Sequence, residues 1–160
     1  MATSTVHGSE TLTNDQVIGH LNSLIETCKD GQHGYNTAAE DVKNPDLKTL
    51  FMRYGQQRTQ YIGELQAEVR RLGGDPEKTS SVVGAMHRGW INIKSAVAGG
   101  DENAVLAECE RGEDSAVETY KKALEESFPS ELRAVVSKQH EGILEAHDKI
   151  RSLTKMTEKK

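Results

Sequence analysis

Aromatic side chains are scarce in this sequence, at 4% of its residues, so any core it builds rests on leucine, valine, isoleucine and alanine. Three prolines and 14 glycines exclude collagen-like and low-complexity chains. Cysteine occurs twice, at Cys28 and Cys109, with no C-x-x-C or Cys/His finger spacing. Both are expected as free, buried thiols in a reducing compartment. No apolar run approaches the roughly 18–20 residues that span a bilayer. The opening "MATSTVHGSE" lacks the charged and then apolar segments of a secretory leader. The expectation is a soluble, cytoplasmic protein with no membrane partner.

Charge of one sign is also missing. A formal net charge of -5 with both signs mixed along the chain argues against nucleic acid as a partner, since that grip needs a basic face. There is no Gly-rich phosphate loop, no nucleophile elbow and no His-Glu-x-x-His. "KDGQHG" lacks the alternating oxygen ligands of a calcium loop.

What is present is helical period. In 160 residues, one domain is the natural division: a tail over 1–11, a domain over 12–155 and a frayed end over 156–160. Thr13 and Gln16 predict a capping box, with Leu12 and Val17 as a staple. Val17, Leu21, Leu24, Cys28, Tyr35, Ala38 and Val42 form one stripe. Asn44 and Pro45 start a second helix. Its stripe is Leu47, Leu50, Phe51, Tyr54, Tyr61, Leu65, Val69 and Leu72, ending at Gly73-Gly74. The short loop between them makes an antiparallel hairpin.

A crossover follows, with a helix predicted over Ser80–Ala98 that shows Val83, Met86, Trp90, Ile93 and Val97 on one side. Asp101 caps a third long helix whose face carries Leu106, Cys109, Glu113, Val117, Tyr120 and Leu124. "SFPSEL" breaks it, and Ser130 is expected to cap the fourth. That stripe is Leu132, Val135, Val136, Gln139, Ile143, Ile150 and Leu153. The β-branched residues sit in helical periods, so no strand is expected. Two hairpins joined by a long connection are the plan of ferritin-like bundles.

The stretches "LNSLIETCKDGQHGY", "ELQAEVRRLGGDP", "HRGWINIKSAVAGGD" and "ERGEDSAV" resemble the small bacterial ferritin-like four-helix-bundle proteins of unknown function, over about Thr13 to Leu153. The resemblance implies an all-α, ferritin-like four-helix bundle: two antiparallel hairpins and a left-handed crossover with a short extra helix. The wider ferritin-like group, the bacterioferritin and rubrerythrin type included, builds dinuclear iron or manganese sites from inward Glu and Glu-x-x-His motifs. Aligned on that pattern, Cys28 stands where the first helix would hold a glutamate. Gln57-Arg58-Thr59-Gln60 and Ser137-Lys138-Gln139-His140 stand where Glu-x-x-His is wanted. Few of those ligands survive.

Glu113 with Glu110 reads either as a remnant ligand pair or as polar residues at the seam, paired with a neighbouring cation. His140 and His147 share a face and read as ligands or as boundary histidines bonded to carboxylates. Gln57, Gln60, Tyr35, Tyr54, Tyr61 and Tyr120 make the middle of the bundle polar, as a register-fixing layer or a ligand pocket. The leading expectation is a non-enzymatic, stress-associated binding or assembly module, a homo-oligomer with a dimer favoured, with a degenerate di-metal site and no cofactor. The alternative is a metal-dependent oxidoreductase or metal-binding protein, with iron or manganese on a rebuilt site of Glu110, Glu113, His140 and Glu64.

Overall fold

The structure is a computed structural model and describes residues 12–76 and 89–158. Among the described residues five helices follow one another: α1 (Asn14–Asp41), α2 (Pro45–Arg71), α3 (Ile93–Ala98), α4 (Glu102–Leu124) and α5 (Ser130–Glu158). No strand occurs among the described residues.

The helix ends follow local chemistry. Thr13 and Gln16 close the reciprocal capping box at 2.9 and 3.1 Å, which satisfies two amide donors that the first turn leaves open. At the hairpin, Asn44 Oδ1 accepts from the Asp46 and Leu47 amides, and Lys48 Nζ donates to the Ala39 carbonyl at 2.8 Å. Gly73, at φ 86°, ends α2 with its neighbour Gly74 bonded back to Val69. Asp101 caps α4 through the Asn103 and Ala104 amides. Ser130 is the first residue of α5 rather than its cap; the Pro129 carbonyl before it accepts the first helical bond, from Arg133. α5 is continuous to Glu158, past the 156 at which the sequence suggested fraying.

α1 packs on α2 and α4 on α5, and the two hairpins meet mainly through α1 and α4. Two apolar clusters fill the bundle. Leu21, Leu24, Leu65, Ala116, Val136 and Ile143 belong to one, and Ala38, Phe51, Leu106, Ala146 and Ile150 to the other. Between them, on α1, α2 and α4, lie Gly31, Arg58 and Glu113, all buried. The division into two clusters is made by this polar layer.

The crossover differs from expectation. Val83 and Met86 lie outside the described residues, and the predicted helix does not run through Gly89–Asn92. Gly89 has φ 103°, a left-handed backbone that an α-helix cannot hold, and past it α3 starts at Ile93. The turn serves to insert Trp90, which is 3% exposed. A Cβ on Gly34 would lie 2.2 Å from the indole, and one on Gly112 2.1 Å from it. These two glycines, on α1 and α4, are the walls of a slot for Trp90. Glu108, also buried, fixes the same turn by accepting from the Asn92 amide at 2.8 Å while holding Arg111 at 2.6 Å.

Candidate functional site

The centre of the bundle is an ion pair. Arg58 Nη2 lies 2.8 and 2.6 Å from the two carboxylate oxygens of Glu113, and the side chains are 1% and 0% exposed. Arg58 is inward because it falls on the heptad positions of α2, between Tyr54 and Ile62. It fits because α1 offers glycine opposite: a Cβ on Gly31 would stand 2.7 Å from Arg58 Nη1. That Nη1 has no hydrogen-bond partner among the described residues, while Nε donates to Gln57 Oε1 at 3.1 Å. Tyr35 completes the group. Its hydroxyl donates to Glu113 Oε2, and Arg58 Cζ sits 5.6 Å from its ring centroid, within cation–π range.

Burial pulls the Arg58 guanidinium down, but the facing Glu113 carboxylate outweighs it and the net shift is upward. Burial and then the Glu113 charge push the Tyr35 phenol well above its usual range. Cys28 is pushed up to about 11 by burial, against a lowering bond from Tyr120. Cys109 and Tyr120 are likewise raised well above their usual values, chiefly by burial. At neutral pH these thiols and phenols keep their protons, so none of them offers a nucleophile or a base.

A second network leads outward from this layer. Cys28 Sγ is 3.1 Å from Tyr120 Oη; Tyr120 donates to Gln139 Oε1 at 2.7 Å. Gln139 Nε2 then donates to Glu64 Oε1 at 2.8 Å. The chain of bonds touches all four long helices and ends in a groove of about 370 Å³ between α2 and α5, lined by Gln57, Gln60, Tyr61, Glu64, Gln139 and Glu145 among others.

The four residues singled out from the sequence do not converge. Glu113 is in the central pair. Exposed Glu64 accepts from Gln60 and Gln139. His140 stacks on Tyr120, rings 6.4 Å apart and 6° from parallel, with no partner for its Nε2 among the described residues. Glu110 lies elsewhere, on the α4–α5 flank with Asp114 and His147, their ligand atoms all within 4.8 Å of one another. Arg58 and Asp114 escaped the sequence reading. Arg58 fills the six-residue gap in the apolar stripe between Tyr54 and Tyr61, and Asp114 stands four residues after Glu110.

A dinuclear iron or manganese centre on the bundle axis would need several carboxylates and imidazoles facing inward. The axis holds instead a guanidinium, a carboxylate whose two oxygens that guanidinium takes, a tyrosine hydroxyl and a protonated thiol. A cation entering there would meet the positive charge already present. These residues do not fit such a centre.

The crystal structure of a two-domain protein from Anabaena variabilis, with DJ-1/ThiJ/PfpI-like and ferritin-like domains, is similar to this chain at a TM-score of 0.74 and 14% identity. The match covers 91% of this chain and 41% of that one, so the chain spans less than half of that protein's length. The likeness establishes a ferritin-like fold. No curated protein matches the sequence. Residues 16–126 match the family described as "Domain of unknown function (DUF2383)", most of the chain up to the start of α5, and this protein belongs to that family.

Proposed function

We propose that this ferritin-like bundle works as a non-enzymatic, stress-associated binding or assembly module, and that its axial di-metal site is degenerate. The observation that carries this reading is Arg58 paired with Glu113 at 2.6 Å on the bundle axis. The guanidinium supplies internally the positive charge that a metal would otherwise bring to a buried carboxylate. The protonated thiols and phenols around it add no redox-ready or basic group. The Anabaena protein, whose ferritin-like domain accompanies a DJ-1/ThiJ/PfpI-like domain, gives an example of such a bundle as one domain of a two-domain protein. The groove between α2 and α5 is where a polar partner would reach the buried network through Gln139. A homodimer is part of the same reading.

The test uses tag-free protein isolated without chelator. Metal content, oxygen or peroxide consumption after addition of ferrous iron, and mass in solution by light scattering are measured for the wild type and for Glu113→Gln. The reading expects no catalysed consumption, the mass of a dimer, and a metal content that Glu113→Gln leaves unchanged. Near-stoichiometric iron or manganese that Glu113→Gln removes would overturn it in favour of an oxidoreductase.

A further inference from the structure

We propose that Glu110, Asp114 and His147 bind one divalent transition-metal cation on the flank between α4 and α5, away from the bundle axis. Glu110 and Asp114 are four residues apart on α4, so their carboxylates stack on one face of the helix. His147 comes from α5, which packs beside it. Its Nε2 is 2.6 Å from Asp114 Oδ1, and one ligand atom from each residue lies within 4.8 Å of the others. A cation taken up there would replace the His147–Asp114 hydrogen bond and draw the three ligand atoms in to about 2.0–2.2 Å from itself.

The imidazole is already oriented. Asp148 Oδ1 lies 3.2 Å from His147 Nδ1, the outer carboxylate that fixes a ligating histidine with Nε2 toward the metal. The ring is mostly sheltered, at 13% side-chain exposure, while Asp114 is 60% exposed. The site is therefore preformed on one side and open on the other, with room for water or a further ligand. Arg111, the guanidinium next along α4, is taken up by Glu108 at 2.6 Å. One imidazole and two carboxylates suit zinc, cobalt, manganese or ferrous iron, and lack the oxygen-only shell that calcium prefers. The bound cation would also clip α4 to α5, one element on each side of the second hairpin.

The proposal is independent of the axial reading, and its test separates the two. Tag-free protein is titrated with Co²⁺, following the ligand-field bands, and with Zn²⁺ in competition. Wild type should saturate at one cation per chain. Asp114→Asn and His147→Ala should each weaken binding at least tenfold, and Asp148→Asn by about tenfold. Glu113→Gln should bind as wild type does. Glu118→Gln, at an exposed carboxylate one turn along α4 that faces Lys122, should do the same. Asp114→Asn changes an exposed side chain, so it reads out binding even where His147→Ala disturbs the fold. No saturable uptake below millimolar Co²⁺, or uptake that Asp114→Asn leaves intact, would overturn the site. Equal weakening by Glu118→Gln would reduce it to adsorption on surface carboxylates.

Discussion

Arg58 faces Gly31, and the pairing of the largest fully buried side chain among the described residues with the smallest residue is what lets a guanidinium reach the bundle axis. The apolar stripe of α1 is interrupted between Cys28 and Tyr35, and that of α2 between Tyr54 and Tyr61. The two interruptions meet in space. Glu113 then closes the layer from α4.

This arrangement predicts strong coupling. Removing either member of a buried pair leaves the other charge uncompensated, at a cost of about 3–5 kcal/mol, whereas an apolar pair of similar volume is often neutral or better. Arg58→Met and Glu113→Gln should each lower stability by about that amount in urea unfolding at neutral pH. Arg58→Met combined with Glu113→Leu should lie closer to wild type than either single change. A double variant as unstable as the two losses added together would show that the side chains act separately.

The four long helices were legible in the sequence because their signals are local. The Thr13–Gln16 box, the Asn44-Pro45 start, the Asp101 cap and the Gly73-Gly74 stop each depend on residues within one turn. The periodic leucines and valines located the seam for the same reason. The crossover was misread because Met86, Trp90 and Ile93 keep a helical spacing in the sequence across Gly89, whose positive φ no α-helix can hold. Nothing local announces the Trp90 slot, since Gly34 and Gly112 come from different hairpins. Arg58 went unread as a core residue because a stripe was sought among apolar residues alone. Its position, four after Tyr54 and four before Ile62, was the available signal. Asp114 and His147 are separated by 33 residues, and only the packing of α4 on α5 unites them.

Burial also fixes how the thiols behave. Cys28 and Cys109 are free and buried, with Cys28 pushed up to about 11 and Cys109 raised well above the ordinary thiol. Since the thiolate is the reactive form, neither should be alkylated in the folded protein at pH 7–8. Both should react within minutes once denaturant is added. Intact mass after timed iodoacetamide treatment decides it, and modification of either cysteine at a free-thiol rate without denaturant would contradict the packing.

His140 should give stability a measurable pH dependence. Burial first, and then Lys121, lower its pKa below the ordinary value, with Glu141 opposing. The unfolded chain therefore takes up the proton at higher pH than the folded one does. The advantage of the neutral ring is present above about pH 6.5, and it declines as pH falls through that value towards the lowered one. His140→Gln should remove this component. The difference in melting temperature between wild type and variant should shift in the variant's favour from pH 7.5 to pH 5. A difference that stays constant over that range would mean that His140 titrates as it does in the unfolded chain.

The slot for Trp90 makes a prediction whose sign reverses with background. Trp90→Ala empties a site that is 3% exposed and should cost about 3–5 kcal/mol, as large-to-small aromatic changes in cores do. Gly112→Ala places a methyl 2.1 Å from the indole, which the slot cannot hold without moving the ring. The change should cost about 1–3 kcal/mol by overpacking, and Trp90 fluorescence should shift to longer wavelength as the indole is displaced. Gly112 lies inside α4, however, where alanine is intrinsically the better helix former by about 1 kcal/mol. Once Trp90→Ala has removed the obstacle, that preference alone should remain. Gly112→Ala should then raise the stability of the Trp90→Ala protein, although it lowers that of the wild type. Equal costs in the two backgrounds would mean that Gly112 is kept for some reason other than the ring that fills its slot.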